Sequence, residues 1–82
     1  MIIKLHPRVI KFLDKLSPEI NIRIKDKLKL LRNKPYRYLK PLRNTSALKM
    51  RIGNYRAFVD VNSKQEIVFV REIRHRRNAY KN

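Results

Sequence analysis

A chain of 82 residues has room for one hydrophobic core, so residues 1–82 are expected to form a single domain. Its 43% apolar content argues against a disordered basic tail, yet 22 Lys and Arg stand against 6 Asp and Glu, a net charge of +16 that attracts polyanions. Cysteine is absent, which removes a disulfide framework, a thiolate nucleophile and a Cys-based zinc site; the opening Met1-Ile2-Ile3 meets Lys4 too soon for a signal peptide or membrane span, so a cytoplasmic chain with no membrane partner is expected.

The first predicted element is a short strand over Ile2 to Leu5, ended by His6-Pro7. Proline suits the first turn of a helix, where its missing N–H costs nothing. Val9, Phe12, Leu13 and Leu16 then recur at helical spacing, with Arg8, Lys11 and Lys15 on the opposite face. Ser17-Pro18 reads as an N-cap and first-turn proline. A second helix follows, with Ile20, Ile24, Leu28 and Leu31 inward, and it stops before Pro35. Two amphipathic helices on so short a link form an antiparallel hairpin.

Asn33 to Ser46, with Pro35 and Pro41, is expected to be loop. The rhythm then becomes alternating. Leu48-Lys49-Met50-Arg51-Ile52 is a half-buried strand, Gly53-Asn54 a hairpin turn, Tyr55 to Val61 a second strand, and Glu66 to Ile73 a third, apolar on both faces like a central strand. The order is β-α-α-β-β-β. It predicts an α+β fold, with the helical hairpin packed on one face of a small, mostly antiparallel, four-stranded sheet.

Period two puts Lys49 and Arg51 on the face away from the helices, with Arg56, Phe58 and Asp60 beside them on the next strand. A turn centred on Ser63-Lys64 would pair Phe58 with Phe69 and Arg56 with Arg71. The open face would then carry Lys49, Arg51, Arg56 and Arg71, with Arg74, His75, Arg76 and Tyr80 at its rim. Guanidinium groups among aromatic rings suit a single nucleic-acid strand, clamping phosphates and stacking bases. Phe58 and Phe69 serve ordinary packing as well as they serve stacking. For Arg8, Lys11, Lys15, Arg23, Lys25, Lys27 and Lys29 a solvated basic face is sufficient explanation. Six scattered carboxylates and two distant histidines offer no metal-ligand spacing and no acid–base pair, so neither metal nor cofactor is expected.

Lys40-Pro41-Leu42, the run Leu48-Lys49-Met50-Arg51-Ile52-Gly53-Asn54-Tyr55-Arg56 and the closing His75-Arg76-Arg77-Asn78-Ala79-Tyr80 resemble the RelE/ParE toxin superfamily over nearly the whole chain. The basic set is similar to that of RelE-type mRNA interferases, which cleave mRNA in the ribosomal A site and are held inactive by a cognate antitoxin. The resemblance implies catalytic roles for Lys49, Arg56, Arg76 and Tyr80 and an RNA contact from Arg51, and the basic open face with its rim and tail adds Arg71, Arg74, His75 and Arg77 as expected RNA contacts. It also implies three partners, namely an acidic antitoxin in a hetero-oligomeric complex, the ribosome and mRNA. At Ala47 the chain departs from RelE-type members that carry a second lysine there.

Metal-free RNA cleavage uses the 2′-hydroxyl against the adjacent phosphate. A lysine crowded by cations and partly desolvated can serve as general base, a role that falls to Lys49, with His75 a minor candidate. Arg56 and Arg76 present planar forks to the phosphorane oxygens, and Tyr80 either protonates the leaving oxygen or stacks on a base. Two rival expectations stand beside this one. A non-catalytic RNA- or ribosome-binding module explains the charge equally well. A ParE-type toxin shares the fold but acts on DNA gyrase and generally lacks these cations.

Overall fold

The computed structural model describes residues 1–43 and 47–76. Strand β1 (Ile2–Leu5) leads into helix α1 (Pro7–Asp14), then helix α2 (Pro18–Lys29). Two short 3-10 turns, Leu30–Arg32 and Pro35–Arg37, precede strand β2 (Lys40–Pro41). Strands β3 (Leu48–Ile52), β4 (Tyr55–Asn62) and β5 (Ile67–His75) follow. The Asn78, Ala79 and Tyr80 end of the sequence motif, with Arg77, lies outside the described residues.

The helix starts follow from local chemistry. His6 caps α1 by accepting the Arg8 backbone N–H on its Nδ1 at 3.1 Å, and Pro7 fills the first helical position. Ser17 occupies the cap position of α2, but its side chain makes no capping hydrogen bond. The hairpin is tied instead by Asn21, whose Nδ2 donates to the Leu13 carbonyl at 2.8 Å. Val9 and Leu13 of α1, with Ile24 and Leu28 of α2 and Leu31, are buried against Met50, Ile52, Ala57, Val59, Val68, Val70 and Ile73 of the sheet. The helices thus cover one face, as the apolar spacing predicts.

The sheet has five strands, not the four expected, in the order β1-β5-β4-β3-β2. β1 runs parallel to β5 and the other neighbours are antiparallel. The added strand comes from the proline-rich segment expected to be loop. Lys40 pairs with Lys49 and Pro41 with Leu48. An edge is where a sheet tolerates proline, because its missing N–H faces no neighbour.

The register of β4 and β5 also differs from expectation. Their turn is Ser63 to Glu66, between the paired Asn62 and Ile67, with Glu66 in the left-handed region at φ 55°. It lies one residue later than a turn centred on Ser63-Lys64, so Asp60, not Phe58, opposes Phe69. A bulge then intervenes, with Val59 opposite Val70 but Phe58 opposite Glu72, which leaves Arg71 as the extra residue. Arg56 therefore faces Arg74 and not Arg71. Without the bulge, Ile73 would fall opposite Arg56 on the open face. With it, Ile73 is buried in the core and an arginine takes its place.

Candidate nucleic-acid interface

Strand alternation and register together lay out the uncovered face. Met50, Ile52, Ala57 and Val59 point to the helices, so Lys49, Arg51, Arg56, Phe58 and Asp60 take the other side. One cross-strand row then reads Arg51–Arg56–Arg74 over β3, β4 and β5, each residue directly opposite the next. The adjacent row reads Lys40–Lys49–Phe58–Glu72 from β2 to β5. Like charges directly opposite one another weaken a sheet. This cluster therefore works against folding and calls for a polyanion to neutralise it.

At the β2–β3–β4 end the rows enclose a cavity of about 310 Å³ lined by Tyr38, Lys40, Lys49, Arg51 and Arg56. Four cations and a phenol form its wall, with no carboxylate among them. Lys49 and Arg56 are half-buried, whereas Lys40 and Arg51 are exposed. The Arg56 Nε–H is buried without a hydrogen-bond acceptor, while the residue keeps interactions elsewhere. Half-burial lowers the local dielectric and lengthens the reach of each charge.

The predicted site residues divide accordingly. Lys49, Arg51 and Arg56 share one cavity. Arg76 follows β5 and is exposed, with its backbone N–H donating to the Asn54 carbonyl at 2.6 Å beside the β3–β4 turn. Tyr80 and Arg77 fall outside the described residues. Arg71 and Arg74 are on the open face but held by carboxylates. Arg71 Nε lies 3.5 Å from Asp60 and Arg74 Nε 3.0 Å from Glu72, and the Arg74 guanidinium also sits 5.7 Å from the Phe58 ring centroid. Asp60, on the same face of β4 as Arg56, pairs with Arg71.

His75 requires a correction. Expected at the rim of the cationic face, it lies opposite Tyr55, their rings edge-on with centroids 5.2 Å apart, and Tyr55 packs in turn on Phe12 of α1 at 6.0 Å. The bulge reverses the alternation of β5 and turns His75 to the helix side. His6, expected to be structural, is the α1 cap. Sequence reasoning missed Lys40 and Tyr38. Both come from the segment expected to be loop, and no periodicity marks a strand of two residues.

A family model described as the ParE toxin of type II toxin-antitoxin systems, parDE, matches residues 3–80. The chain belongs to this family. Solved structures of RelE proteins share its fold. The RelBE2 toxin–antitoxin complex of Mycobacterium tuberculosis superimposes with a TM-score of 0.83 at 24% identity, covering 92% of this chain and 96% of that one. The archaeal RelE–RelB complex of Pyrococcus horikoshii gives 0.79 at 23%, covering 92% and 93%. The isolated RelE toxin of E. coli gives 0.76 at 23%, covering 90% and 82%. No curated protein sequence matches the toxin significantly. Among its described residues, no helix is long and apolar enough to cross a membrane, and no group of three or more His, Cys, Asp and Glu could hold a metal ion.

Proposed function

We propose that this toxin, acting as one domain over residues 1–82, halts translation by cutting mRNA in the ribosomal A site through 2′-hydroxyl attack without a metal. The observation that carries the proposal is the cavity walled by Lys40, Lys49, Arg51 and Arg56 with no carboxylate. Lys49 takes the 2′-hydroxyl proton, the 2′-oxygen bonds to phosphorus, and the bond to the 5′-oxygen breaks. Arg56 and Arg76 bind the phosphorane oxygens, where charge accumulates. Tyr80 supplies the proton to the leaving oxygen. The products are a 2′,3′-cyclic phosphate upstream and a 5′-hydroxyl downstream. With only a weak acid and base of its own, the toxin gains from a ribosome that holds the RNA bent and aligned.

In the cytoplasm the cation cluster would be masked by an acidic, amphipathic antitoxin within a hetero-oligomer. Solved relatives from three organisms are toxin–antitoxin complexes, which supports such a partner. Purification from the native host should recover the two proteins together. The direct test is to programme ribosomes with mRNA, add the toxin and map fragment ends. Ribosome-dependent cuts with 5′-hydroxyl ends are expected, and intact mRNA would overturn the proposal.

A second reading is the ParE-type inhibition of DNA gyrase, kept because the matching family model is described as a ParE toxin. Purified gyrase discriminates the two. Loss of supercoiling activity with mRNA left intact would select gyrase as the target.

A further inference from the structure

The open face is not uniformly cationic, and its other half forms a second cavity of about 420 Å³ beside the first. His6, Arg8, Ala47, Phe58, Phe69, Arg71 and Glu72 line it, and its volume is within the ~300–1,000 Å³ typical of small-molecule sites. Phe58 and Phe69 are only half-buried although they stand mid-strand on long strands. The His6 ring stands edge-on to Phe69, its centroid 6.1 Å away, and is fixed by its capping bond to Arg8. Glu72 is anchored by Arg74 at 3.0 Å, which uses one of about four lone-pair positions on a carboxylate.

We propose that this cavity is a nucleobase subsite that takes an amino-bearing base (cytosine, adenine or guanine) in preference to uracil. It rests on the RNA proposal above and identifies which part of the RNA this half of the face receives. The two arginines of the lining are engaged, Arg71 with Asp60 and Arg8 with His6, whereas the Glu72 carboxylate disfavours the acceptor-rich edge of uracil and accepts from an exocyclic amine. Phe58 and Phe69 supply apolar surface on which a base can lie. Register sets the spacing, because Phe58 is directly opposite Lys49. A base here therefore neighbours a phosphate held at Lys49, Arg51 and Arg56.

The test uses the full chain and short single-stranded oligoribonucleotides made only of C, only of A or only of U, with binding followed by fluorescence anisotropy at fixed salt. C and A oligomers should bind about 5- to 10-fold tighter than U. Glu72→Ala should raise affinity for U and bring the ratio close to one, whereas a purely electrostatic role would raise all three equally. Phe69→Leu, which keeps apolar volume, should weaken C and A binding about tenfold. Circular dichroism confirms that each variant is folded. Base-indifferent binding by the native chain would overturn the subsite and leave the phosphate site standing. Failure to bind any oligomer would overturn the RNA proposal itself.

Discussion

The two halves of the open face balance their charges in opposite ways. On β4 and β5, Asp60 and Glu72 hold Arg71 and Arg74 at 3.5 and 3.0 Å, and Phe58 lies close to one of those guanidiniums. On β2, β3 and β4, Lys40, Lys49, Arg51 and Arg56 gather round a cavity without a carboxylate. The same sheet thus has one half whose arginines of β5 pair with carboxylates and one whose cavity lining, among the described residues, carries none. Exposed ion pairs contribute little stability, so Asp60 and Glu72 change the local charge of the first half more than they hold the sheet together.

The largest expected effect tests that division. Arg56→Ala should lower the rate of mRNA cleavage about 10²–10³-fold, the loss typical of one transition-state donor, while ribosome binding measured by co-sedimentation largely survives. Lys40→Met removes a cation that only the structure places in the cavity and should lower cleavage roughly tenfold, consistent with one lost charge-assisted hydrogen bond. Full activity in that variant would restrict the site to the cations of β3 and β4.

Arg51→Gln should separate function from stability. It relieves a like-charge pair with Arg56 across β3 and β4, so chemical denaturation should show a gain of about 0.2–1 kcal/mol. The salt dependence of RNA binding should meanwhile fall by a slope of about one. Asp60→Asn acts on the other half. The pair it breaks is 57% and 43% exposed, so stability should change by less than about 1 kcal/mol, and RNA affinity should rise slightly as Arg71 is released. Lys11→Ala, on the outer face of α1, should leave cleavage unchanged.

The helices were legible in the sequence because burial follows spacing, and Val9, Leu13, Ile24, Leu28 and Leu31 are buried where the 3.6-residue period puts them. The cations of β3 and β4 were legible for the same reason at period two. Two features were not. β2 consists of Lys40 and Pro41 alone, too short for any alternation, and it brings a lysine into the site. The bulge at Arg71 is a tertiary adjustment whose trace in the sequence is subtle, since the buried Val68, Val70 and Ile73 break their own alternation after Val70. That break moves Arg74 opposite Arg56 and turns His75 to the helices, so the three-arginine row could not be drawn from periodicity alone.

The central claim is that the cations gathered round the Lys49 and Arg56 cavity act on a phosphate attacked by its own 2′-hydroxyl. Its most direct test is a programmed ribosome carrying mRNA with a single 2′-deoxy nucleotide at the mapped cleavage position, compared with the all-ribose message. The account predicts that cutting at that position stops, with 5′-hydroxyl ends on the all-ribose control. Cutting of the deoxy message at the normal rate, or a 5′-phosphate on the downstream fragment, would contradict it.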